Sequence, residues 1–377
     1  MRPASVRTRA RRWRRHPASA LCGWLVLGAG VIGALAPPAD ARAGAPPLRF
    51  GITPLAQAGQ IGDRPAPAVG ERLERTFAAL DRLRPPRAPF VVRLNRFFWS
   101  DGERAFTRYL ALARRFAGRG YLVELQVRYR PPVGHEGDIA AWARHVREVV
   151  RRFGRIRNVV ALQIANEVNF DFSRDSSDGA FRGARRALVA GVIAAQNEKQ
   201  RLRLRRLEVG FNWAYRRDEA YERDFWRDLR RLGGRRFLRA VDWVGIDAYP
   251  GTVLPRPSPG LDEGLALVTA VRELRGYMQL AGLPRSTPVR IEECGWPTFP
   301  GRSERYQATA LERMVRAAWR ARRELGITDL RWFNLRDGDS SSPLPFQHFG
   351  LLRSDYSAKP AFAVFRQLLR TLLAAGR

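Results

Sequence analysis

Two glutamates that end strand-like segments are the residues best suited to chemistry. The largely apolar run 159–165 ends in Asn166 and Glu167, and the segment Val289–Glu293 ends in a second carboxylate. Apolar runs of this length are typical of strands buried on both faces, as in parallel sheets. Cleavage of a glycosidic bond requires two carboxyl groups, one protonated and one ionised, flanking the bond. Glu167 and Glu293 are the pair in this chain that fits.

Other polar side chains stand at the ends of the remaining strand-like segments. They include Arg93, Asn95, Asn166, Asn212, Asp247, Tyr249, Glu292, Trp332, Asn334 and Arg336. Barrel enzymes build their sites from residues at the carboxyl ends of the strands. Charge and hydrogen bonding from Arg93 and Tyr249 would favour an ionised Glu293, whose own charge would help to keep Glu167 protonated.

The order of the strands and helices that must position these residues predicts an α/β fold, namely a single-domain (β/α)₈ TIM barrel. Eight strand-like segments alternate with eight helical ones. The predicted strands are Leu48–Thr53, Phe90–Asn95, Tyr121–Val127, Val159–Glu167, Leu207–Trp213, Val241–Ala248, Val289–Glu293 and Leu330–Leu335. The predicted helices are Glu71–Arg84, Glu103–Phe116, Asp138–Phe153, Gly179–Asn197, Glu219–Leu232, Asp262–Leu280, Glu304–Leu325 and Pro360–Leu373.

Alternation within the strands predicts which way their side chains point. In the second and fourth strands, Val92, Leu94, Leu162 and Ile164 alternate with polar or small residues. Apolar groups should therefore face the helices, while small and polar groups face the barrel interior. A doubly wound open sheet is the alternative fold, but no glycine-rich phosphate loop follows the first strand.

Three segments resemble those of a known enzyme family. Ala165–Asn169 resembles the Asn-Glu-Pro-Asn signature that ends strand four in clan A retaining glycoside hydrolases, although Val168 stands where many relatives have proline. Glu293–Pro297 resembles their nucleophile motif on strand seven. Residues 349–352 with 359–362 are similar to the segment that leads into their last helix. The resemblance spans nearly the whole chain after the amino-terminal segment.

The resemblance implies a double displacement with retained configuration on a β-linked poly- or oligosaccharide, without a cofactor. Glu293 would attack the anomeric carbon, and Glu167 would act first as acid and then as base. By the same resemblance, Asn166 would bind the 2-hydroxyl of the sugar. Trp332 would offer an apolar platform to a sugar ring. The predicted substrate-binding residues are Arg93, Asn166, Tyr249, Trp332 and Asn334.

The doublet Glu292-Glu293 leaves an alternative nucleophile. If Val289 and Ile291 face the helices, strict alternation turns Glu292 inward and Glu293 outward. The motif register requires the reverse. The motif therefore selects Glu293, and Glu292 is the alternative.

The amino terminus predicts export. Residues 1–43 combine an arginine-rich start, an apolar stretch and the small-x-small site Ala41-Arg42-Ala43, which is typical of a signal peptide. The barrel would then occupy residues 44–377 of a secreted protein that does not stay inserted in the membrane. An uncleaved anchor is the alternative.

The charge balance offers a second class of function. The formal net charge is +31, and of the 67 basic residues only Lys199 and Lys359 are lysines. Because the arginines are spread evenly along the chain, a biased codon usage explains them better than a patch that binds an anionic partner such as nucleic acid, an acidic polysaccharide or the cell envelope. A catalytically inactive, carbohydrate-binding or envelope-associated barrel is the other alternative.

The histidines and cysteines predict no metal site and no internal disulfide. His16, His135, His145 and His348 are scattered along the sequence. Cys294 would be the only cysteine left after signal cleavage, so no disulfide could form within the mature chain.

Overall fold

Eight parallel strands close into a barrel, as the sequence predicts. The computed structural model describes residues 48–59, 69–256 and 258–375. The predicted signal segment, residues 1–43, lies outside them. Each strand pairs with the next along the chain, and β1 closes the barrel by pairing with both β2 and β8. The strands are β1 Arg49–Ile52, β2 Phe90–Phe98, β3 Leu122–Arg128, β4 Val159–Ile164, β5 Glu208–Ala214, β6 Trp243–Asp247, β7 Val289–Cys294 and β8 Ile327–Trp332.

Eight α-helices alternate with these strands. They are α1 Leu73–Leu83, α2 Gly102–Gly118, α3 Ile139–Phe153, α4 Ala184–Arg201, α5 Glu219–Ala240, α6 Glu263–Ala281, α7 Glu304–Leu325 and α8 Pro360–Ala375. Asp138, Asp218, Asp262 and Ser303 cap α3, α5, α6 and α7 by accepting a hydrogen bond from a backbone N–H of the first turn. No helix in the described part of the chain is both long and apolar enough to cross a membrane.

Several element boundaries differ from the prediction, and α4 and β8 illustrate two of the reasons. Helix α4 begins at Ala184 rather than Gly179, because residues Asp178–Ala180 form a separate 3₁₀ turn and Gly183 adopts a left-handed φ of 78°. Strand β8 begins at Ile327, earlier than predicted, and so contains the polar residue Asp329. That carboxylate is held inside the barrel by ion pairs, which hydrophobic patterning does not reveal.

The barrel interior is polar, as the alternation predicts. Fully buried charged and amide side chains meet across it; Arg93 lies within 3.5 Å of Gln163, Glu124 and Glu292. The alternating apolar side chains belong instead to the core outside the barrel. For example, a Cβ added at Gly191 of α4 would come within 2.7 Å of the Ile164 side chain, which shows that Ile164 faces the helix.

Candidate active site

The backbone that follows β4 turns sharply out of the sheet and presents Glu167. Ala165 and Glu167 have φ values of 61° and 46°, in the left-handed region that non-glycine residues rarely adopt. Such conformations cost about 1–3 kcal/mol each and persist only where the surroundings impose them. Here the carboxylate of Asp178 accepts from the backbone N–H groups of Asn166 at 2.8 Å and Tyr129 at 2.7 Å, and so fixes the turn.

The Glu167 carboxyl is placed to be a proton donor. Ser177 donates a hydrogen bond to its Oε2 at 2.8 Å, and the Asn212 side chain accepts from its backbone N–H at 2.9 Å. Burial, followed by the negative charge of Glu293, raises the pKa of Glu167 to about 7, although Ser177 and nearby arginines oppose the shift. This side chain is therefore largely protonated in mildly acidic solution.

The Glu293 carboxyl lies among hydrogen-bond donors. Arg93 Nη1 and Asn95 Nδ2 donate to its Oε1 at 2.5 and 3.2 Å, and the Tyr249 hydroxyl donates to its Oε2 at 2.5 Å. These groups suit a carboxylate, which only accepts hydrogen bonds. Burial and the charge of Glu293 raise the pKa of Tyr249 well above its ordinary value, so its hydroxyl keeps its proton.

An irregularity in β7 resolves the conflict between the two adjacent glutamates. Ile291 pairs with Ile246 of β6, but the next paired residue is Glu293, opposite Asp247, so Glu292 is an extra residue. Such a bulge breaks strict alternation. Glu293 lines the cavity at the carboxyl end of the strands, whereas Glu292 is fully buried beside Arg93 within the barrel. The structure thus brings Glu293, and not its neighbour, to Glu167.

Asn166 is held by a network of amides. Its Oδ1 accepts from Gln126 at 2.7 Å, Gln163 at 3.0 Å and Asn212 at 2.8 Å. Its Nδ2 donates to the backbone oxygen of Ser176 at 2.7 Å. Asn166 also lines the cavity, where a substrate hydroxyl could reach it. The two glutamines are interior residues of β3 and β4, and their alternation with apolar neighbours is the signal that could have identified them.

A third carboxyl group, Asp247, lies beside the two glutamates. One carboxylate oxygen from each of Glu167, Asp247 and Glu293 lies within 4.8 Å of the other two. Burial, then the charge of Glu293, raises the pKa of Asp247 well above its ordinary value. Asn212 donates a hydrogen bond to its Oδ2. The sequence predicts Asp247 at the carboxyl end of β6. It does not predict the contact with the two glutamates, because that contact depends on which strands are neighbours in the barrel.

Among the described residues, these three form the cluster of acids whose oxygens are close enough together to bind one cation. A positive charge is already present there, since the guanidinium of Arg93 contacts Glu293. The raised pKa of Glu167 and of Asp247 favours protonated carboxyls, which are poorer metal ligands. The arrangement therefore suits proton transfer better than metal binding.

The cavity above the carboxyls has a volume of about 220 Å³ and combines polar and aromatic side chains. The polar and charged residues are Asn95, Arg96, Gln126, Arg128, Asn166, Glu167, Asp175, Ser176 and Glu293. The apolar and aromatic residues are Phe170, Phe172, Tyr249, Val253, Phe333, Phe346 and Phe349. Most of the aromatic residues come from loops after β4 and β8, and the sequence did not predict their place in the site.

The structure corrects the prediction for Trp332 and does not place Asn334 in the cavity wall. The Trp332 ring is fully buried in the apolar core, because β8 still pairs there with Ile52 and Cys294, which belong to the same core. Asn334 is also buried and does not line the cavity. Phe333, between them, supplies the aromatic surface that was expected of Trp332.

The strand order, the closure and the position of the cavity define a (β/α)₈ barrel with paired carboxyls at the carboxyl ends of its strands. Solved structures with this fold include glycosidases. The chain is 15% identical to the GH5_18 protein of Streptomyces cattleya, solved in complex with GlcNAc, with a TM-score of 0.60 over 87% of this chain and 81% of that one. The chain is 13% identical to the GH1 β-glucosidase of Exiguobacterium antarcticum, with a TM-score of 0.59 over 87% of this chain and 98% of that one.

A fungal β-1,4-galactanase is similar in the same way, at 13% identity and a TM-score of 0.56 over 85% of this chain and 99% of that one. No family model matches the sequence, and the search of curated proteins found no match. The resemblance to clan A glycosidases is thus confirmed at the level of the fold.

Proposed function

We propose that the protein is a retaining glycoside hydrolase that cleaves β-linked O-glycosidic bonds in an oligo- or polysaccharide. The observation that carries the proposal is the pair Glu167 and Glu293, whose carboxylate oxygens approach within 4.8 Å in one cavity. Retaining enzymes hold their two carboxyl groups about 5–5.5 Å apart, whereas inverting enzymes leave about 6.5–9.5 Å for a water molecule. An approach of the two carboxyl oxygens within 4.8 Å supports the closer spacing.

The first step is attack on the substrate by the ionised residue. A carboxylate oxygen of Glu293 forms a bond to the anomeric carbon while the bond from that carbon to the leaving oxygen breaks. The proton of Glu167 passes to the leaving oxygen. Arg93 and Tyr249 hold Glu293 in place from both of its oxygens. The product is a covalent glycosyl-enzyme and a released alcohol.

The second step is hydrolysis of this intermediate. Glu167, now ionised, takes a proton from water, whose oxygen attacks the anomeric carbon as the bond to Glu293 breaks. Two inversions leave the configuration retained. The amide of Asn166, held by three neighbouring amides, would bind the 2-hydroxyl of the same sugar.

The fold neighbours support a β-linked substrate, since two of the three described above are named a β-glucosidase and a β-1,4-galactanase. An inactive carbohydrate-binding barrel is supported less well, because Glu293 lines the cavity next to Glu167 rather than facing outward. Binding of nucleic acid or an anionic glycan through charge alone is supported less well, because Glu167 and Glu293 line the same cavity as Arg96 and Arg128.

The proposal is tested with the Glu167→Gln and Glu293→Gln variants of residues 44–377 on a panel of aryl β-glycosides and β-linked oligosaccharides. Each variant should lose about 10³-fold or more in kcat, because each removes a group used in bond cleavage. Glu312→Gln is the matched control, since that glutamate is half-exposed on α7 and, among the described residues, pairs with Arg316. Proton NMR of the first product anomer would report retention. Full activity in either site variant, or an inverted product, would refute the mechanism.

Export is a separate proposal, supported by the composition of residues 1–43. Amino-terminal sequencing of protein recovered outside the cytoplasm should start at Gly44. A mature protein that still begins at Met1 would favour the membrane-anchor alternative.

A further inference from the structure

The segment that carries Glu167 is joined to β5 by a side chain rather than by the sheet. The last backbone pair of β4 with β5 is Gln163 with Gly210. Beyond it, the backbone N–H of Glu167 donates to the side-chain oxygen of Asn212 at 2.9 Å. Glu167 has a left-handed φ of 46°, a conformation that a non-glycine residue keeps only where its surroundings impose it. The Asn212 amide is therefore one of the groups that orient Glu167.

The Asn212 amide can hold Glu167 in only one of its two orientations. Its oxygen must face the N–H of Glu167, so its nitrogen points the other way. That nitrogen donates to Asn166 Oδ1 at 2.8 Å and to the Oδ2 of Asp247. A flipped amide would set its NH2 group against the N–H of Glu167 and its oxygen against two acceptors. Asn166 and Asp247 thus select the orientation that Glu167 requires.

Asp247 fixes the direction of these hydrogen bonds. The Asn166 amide could turn over together with that of Asn212, because an amide offers both donors and an acceptor. A carboxyl group keeps an accepting oxygen whether it is protonated or ionised, and Oδ2 of Asp247 meets the Asn212 nitrogen. Among the described residues, Oδ1 of Asp247 has no hydrogen-bond partner. Within that part of the chain, the Asp247 carboxyl is therefore hydrogen-bonded to Asn212 alone.

The geometry of the sheet brings Asp247 to Asn212. Asp247 is the last residue of β6 and pairs with Ala214, two residues beyond Asn212 on β5. The residue paired with Asn212 is Gly245, where an added Cβ would lie 3.1 Å from the Asn212 Cβ. A side chain at this position would crowd Asn212. The glycine thus leaves room for the carboxyl of Asp247, two residues further on and on the same face of β6.

We infer that Asp247 is a positioning residue for the proton donor, because through Asn212 it fixes the backbone of Glu167 and so the place of its carboxyl. The inference rests on the proposed glycosidase function. Asp247 is 3% exposed and does not line the cavity, so it acts on the substrate only through other residues. Misplacing a reacting group by about 1 Å can cost about 100-fold in rate. The remaining interpretation is that Asp247 only stabilises the fold, and its loss would then slow all substrates alike.

Leaving groups that differ in their need for a proton test the inference. The leaving oxygen of a 2,4-dinitrophenyl β-glycoside departs as a stable anion, whereas that of a phenyl β-glycoside requires the proton of Glu167. Asp247→Leu should lower kcat/KM for the phenyl glycoside by about 10–100-fold, and for the dinitrophenyl glycoside by a factor at least about fivefold smaller. Asn212→Ala removes the link itself and should show the same selective loss, which decides the matter if Asp247→Leu does not fold.

Asp247→Asn separates the hydrogen bond from the charge. Asparagine carries no charge but offers an accepting oxygen in place of Oδ2, so this variant should recover most of the activity that Asp247→Leu loses on the phenyl glycoside. A loss as large as that of Asp247→Leu would overturn the inference, because the charge and not the contact would then matter. Asp247→Leu combined with Asn212→Ala should lose no more than Asn212→Ala alone, since both changes break one chain of contacts. Additive losses would contradict that chain.

Glu263→Leu is the matched control for the loss of a buried carboxyl. Glu263, the first residue of α6, is 3% exposed and accepts from Tyr306 at 2.7 Å and from Arg313 at 3.0 Å. It does not line the cavity above the paired carboxyls. This variant should affect the two leaving groups equally. A selective loss in Glu263→Leu, or losses in Asn212→Ala that are equal for both leaving groups, would overturn the inference.

Hydrogen exchange separates this inference from the proposed function. In the wild type the amide of Glu167 is held by Asn212, so mass spectrometry of peptides spanning residues 164–170 should show it protected. Asp247→Leu and Asn212→Ala should each speed its exchange by about tenfold or more, whereas Glu263→Leu should not. That result without hydrolysis of any glycoside by the wild type would refute the glycosidase and leave the link from Asp247 to Glu167 standing. Unchanged exchange in both variants of an active enzyme would refute the link alone.

Discussion

The barrel encloses two charged layers that differ in how their charges are paired. The lower layer, near the amino ends of the strands, contains three arginines and three carboxylates: Arg49, Arg290, Arg331, Glu124, Glu208 and Asp329. The upper layer, at the carboxyl ends, contains three carboxyls around one arginine: Glu167, Asp247, Glu293 and Arg93. Glu292, whose pKa is raised well above its ordinary value by burial and by the charge of Glu124, lies between the layers beside Arg93. The residues named for the lower layer are therefore balanced in charge, and those named for the upper layer are not.

In the lower layer each charge has partners of opposite sign. Asp329 lies 2.9 Å from Arg49, 3.3 Å from Arg290 and 2.7 Å from Arg331. Burial alone would raise the pKa of Asp329, but the three guanidiniums hold it well below its ordinary value. This carboxylate stays ionised at all physiological pH values, so the layer is suited to holding the barrel together.

In the upper layer, among the described residues, the contact between the three carboxyls and a cation is the ion pair of Glu293 with Arg93. Burial and mutual repulsion raise the pKa of Glu167 to about 7 and that of Asp247 well above its usual range. An excess of buried acids thus produces a carboxyl that can give up and regain a proton near neutral pH. The comparison teaches that the sign balance of a buried cluster, and not burial alone, separates a layer of permanently ionised groups from one whose carboxyls can exchange a proton near neutral pH.

The largest effect on stability should follow from unbalancing the lower layer. Arg331→Met leaves Asp329 and Glu124 with fewer partners and should lower the free energy of unfolding by about 3–5 kcal/mol, the range for breaking a buried ion pair. Activity per folded molecule should be retained at low temperature. Urea unfolding and specific activity would measure both quantities.

The control is Arg316→Met, since Arg316 is 43% exposed and pairs with Glu312 on the surface of α7. It should change the free energy of unfolding by less than about 1 kcal/mol. If Arg331→Met also removed activity while unfolding normally, the division between the two layers would be wrong.

The lower layer also shows which part of the fold could not be predicted from the sequence, namely the start of β8. Alternation predicts the eight strands and their polar inner faces, because the strand period is fixed by backbone geometry. It does not predict that Thr328 and Asp329 belong to β8, since their polarity is typical of a loop. Ion pairs to Arg49 and Arg290 stabilise that strand, and Arg49 lies 280 residues away along the chain.

A smaller effect on stability, with a defined pH dependence, should follow from Glu167→Gln. The pKa of this carboxyl is about 7 in the folded protein and about 4.5 when unperturbed. Between these values the folded state binds more protons than the unfolded state, so the stability of the wild type falls as pH rises. The variant cannot ionise there. It should therefore be more stable than the wild type above pH 7, by about 1–3 kcal/mol.

The difference should disappear below about pH 4.5, where the carboxyl is protonated in both the folded and the unfolded state. Urea unfolding at a series of pH values would measure it, with Glu312→Gln as the control. A stability difference that does not depend on pH would show that ionisation of Glu167 is not costly in the folded protein, and would remove the contrast with Asp329.

The candidate site was predictable from the sequence to the extent that its residues lie on strands. The motifs selected Glu167 and Glu293, Arg93 and Tyr249 contact the latter as expected, and Asn166 lines the cavity. The bulge at Glu292 could not be predicted, because it depends on the registers of β6 and β8. The aromatic wall, formed largely by loop residues that follow no repeating pattern, was likewise unforeseen.

The smallest effect should come from the rim of the cavity, above the upper layer. Phe172 is 58% exposed and stacks on Phe170 with ring centres 5.7 Å apart and planes 9° from parallel. Phe172→Ala should change the free energy of unfolding by less than about 0.5 kcal/mol, because exposed substitutions rarely do more. It should raise KM by about 2–10-fold without changing kcat, since an aromatic platform binds the ground state and transition state alike. Val133→Ala, at a fully exposed site outside the cavity, is the control. A fall in kcat in the Phe172 variant would show instead that the rim takes part in the proton transfer and bond cleavage assigned to the upper layer.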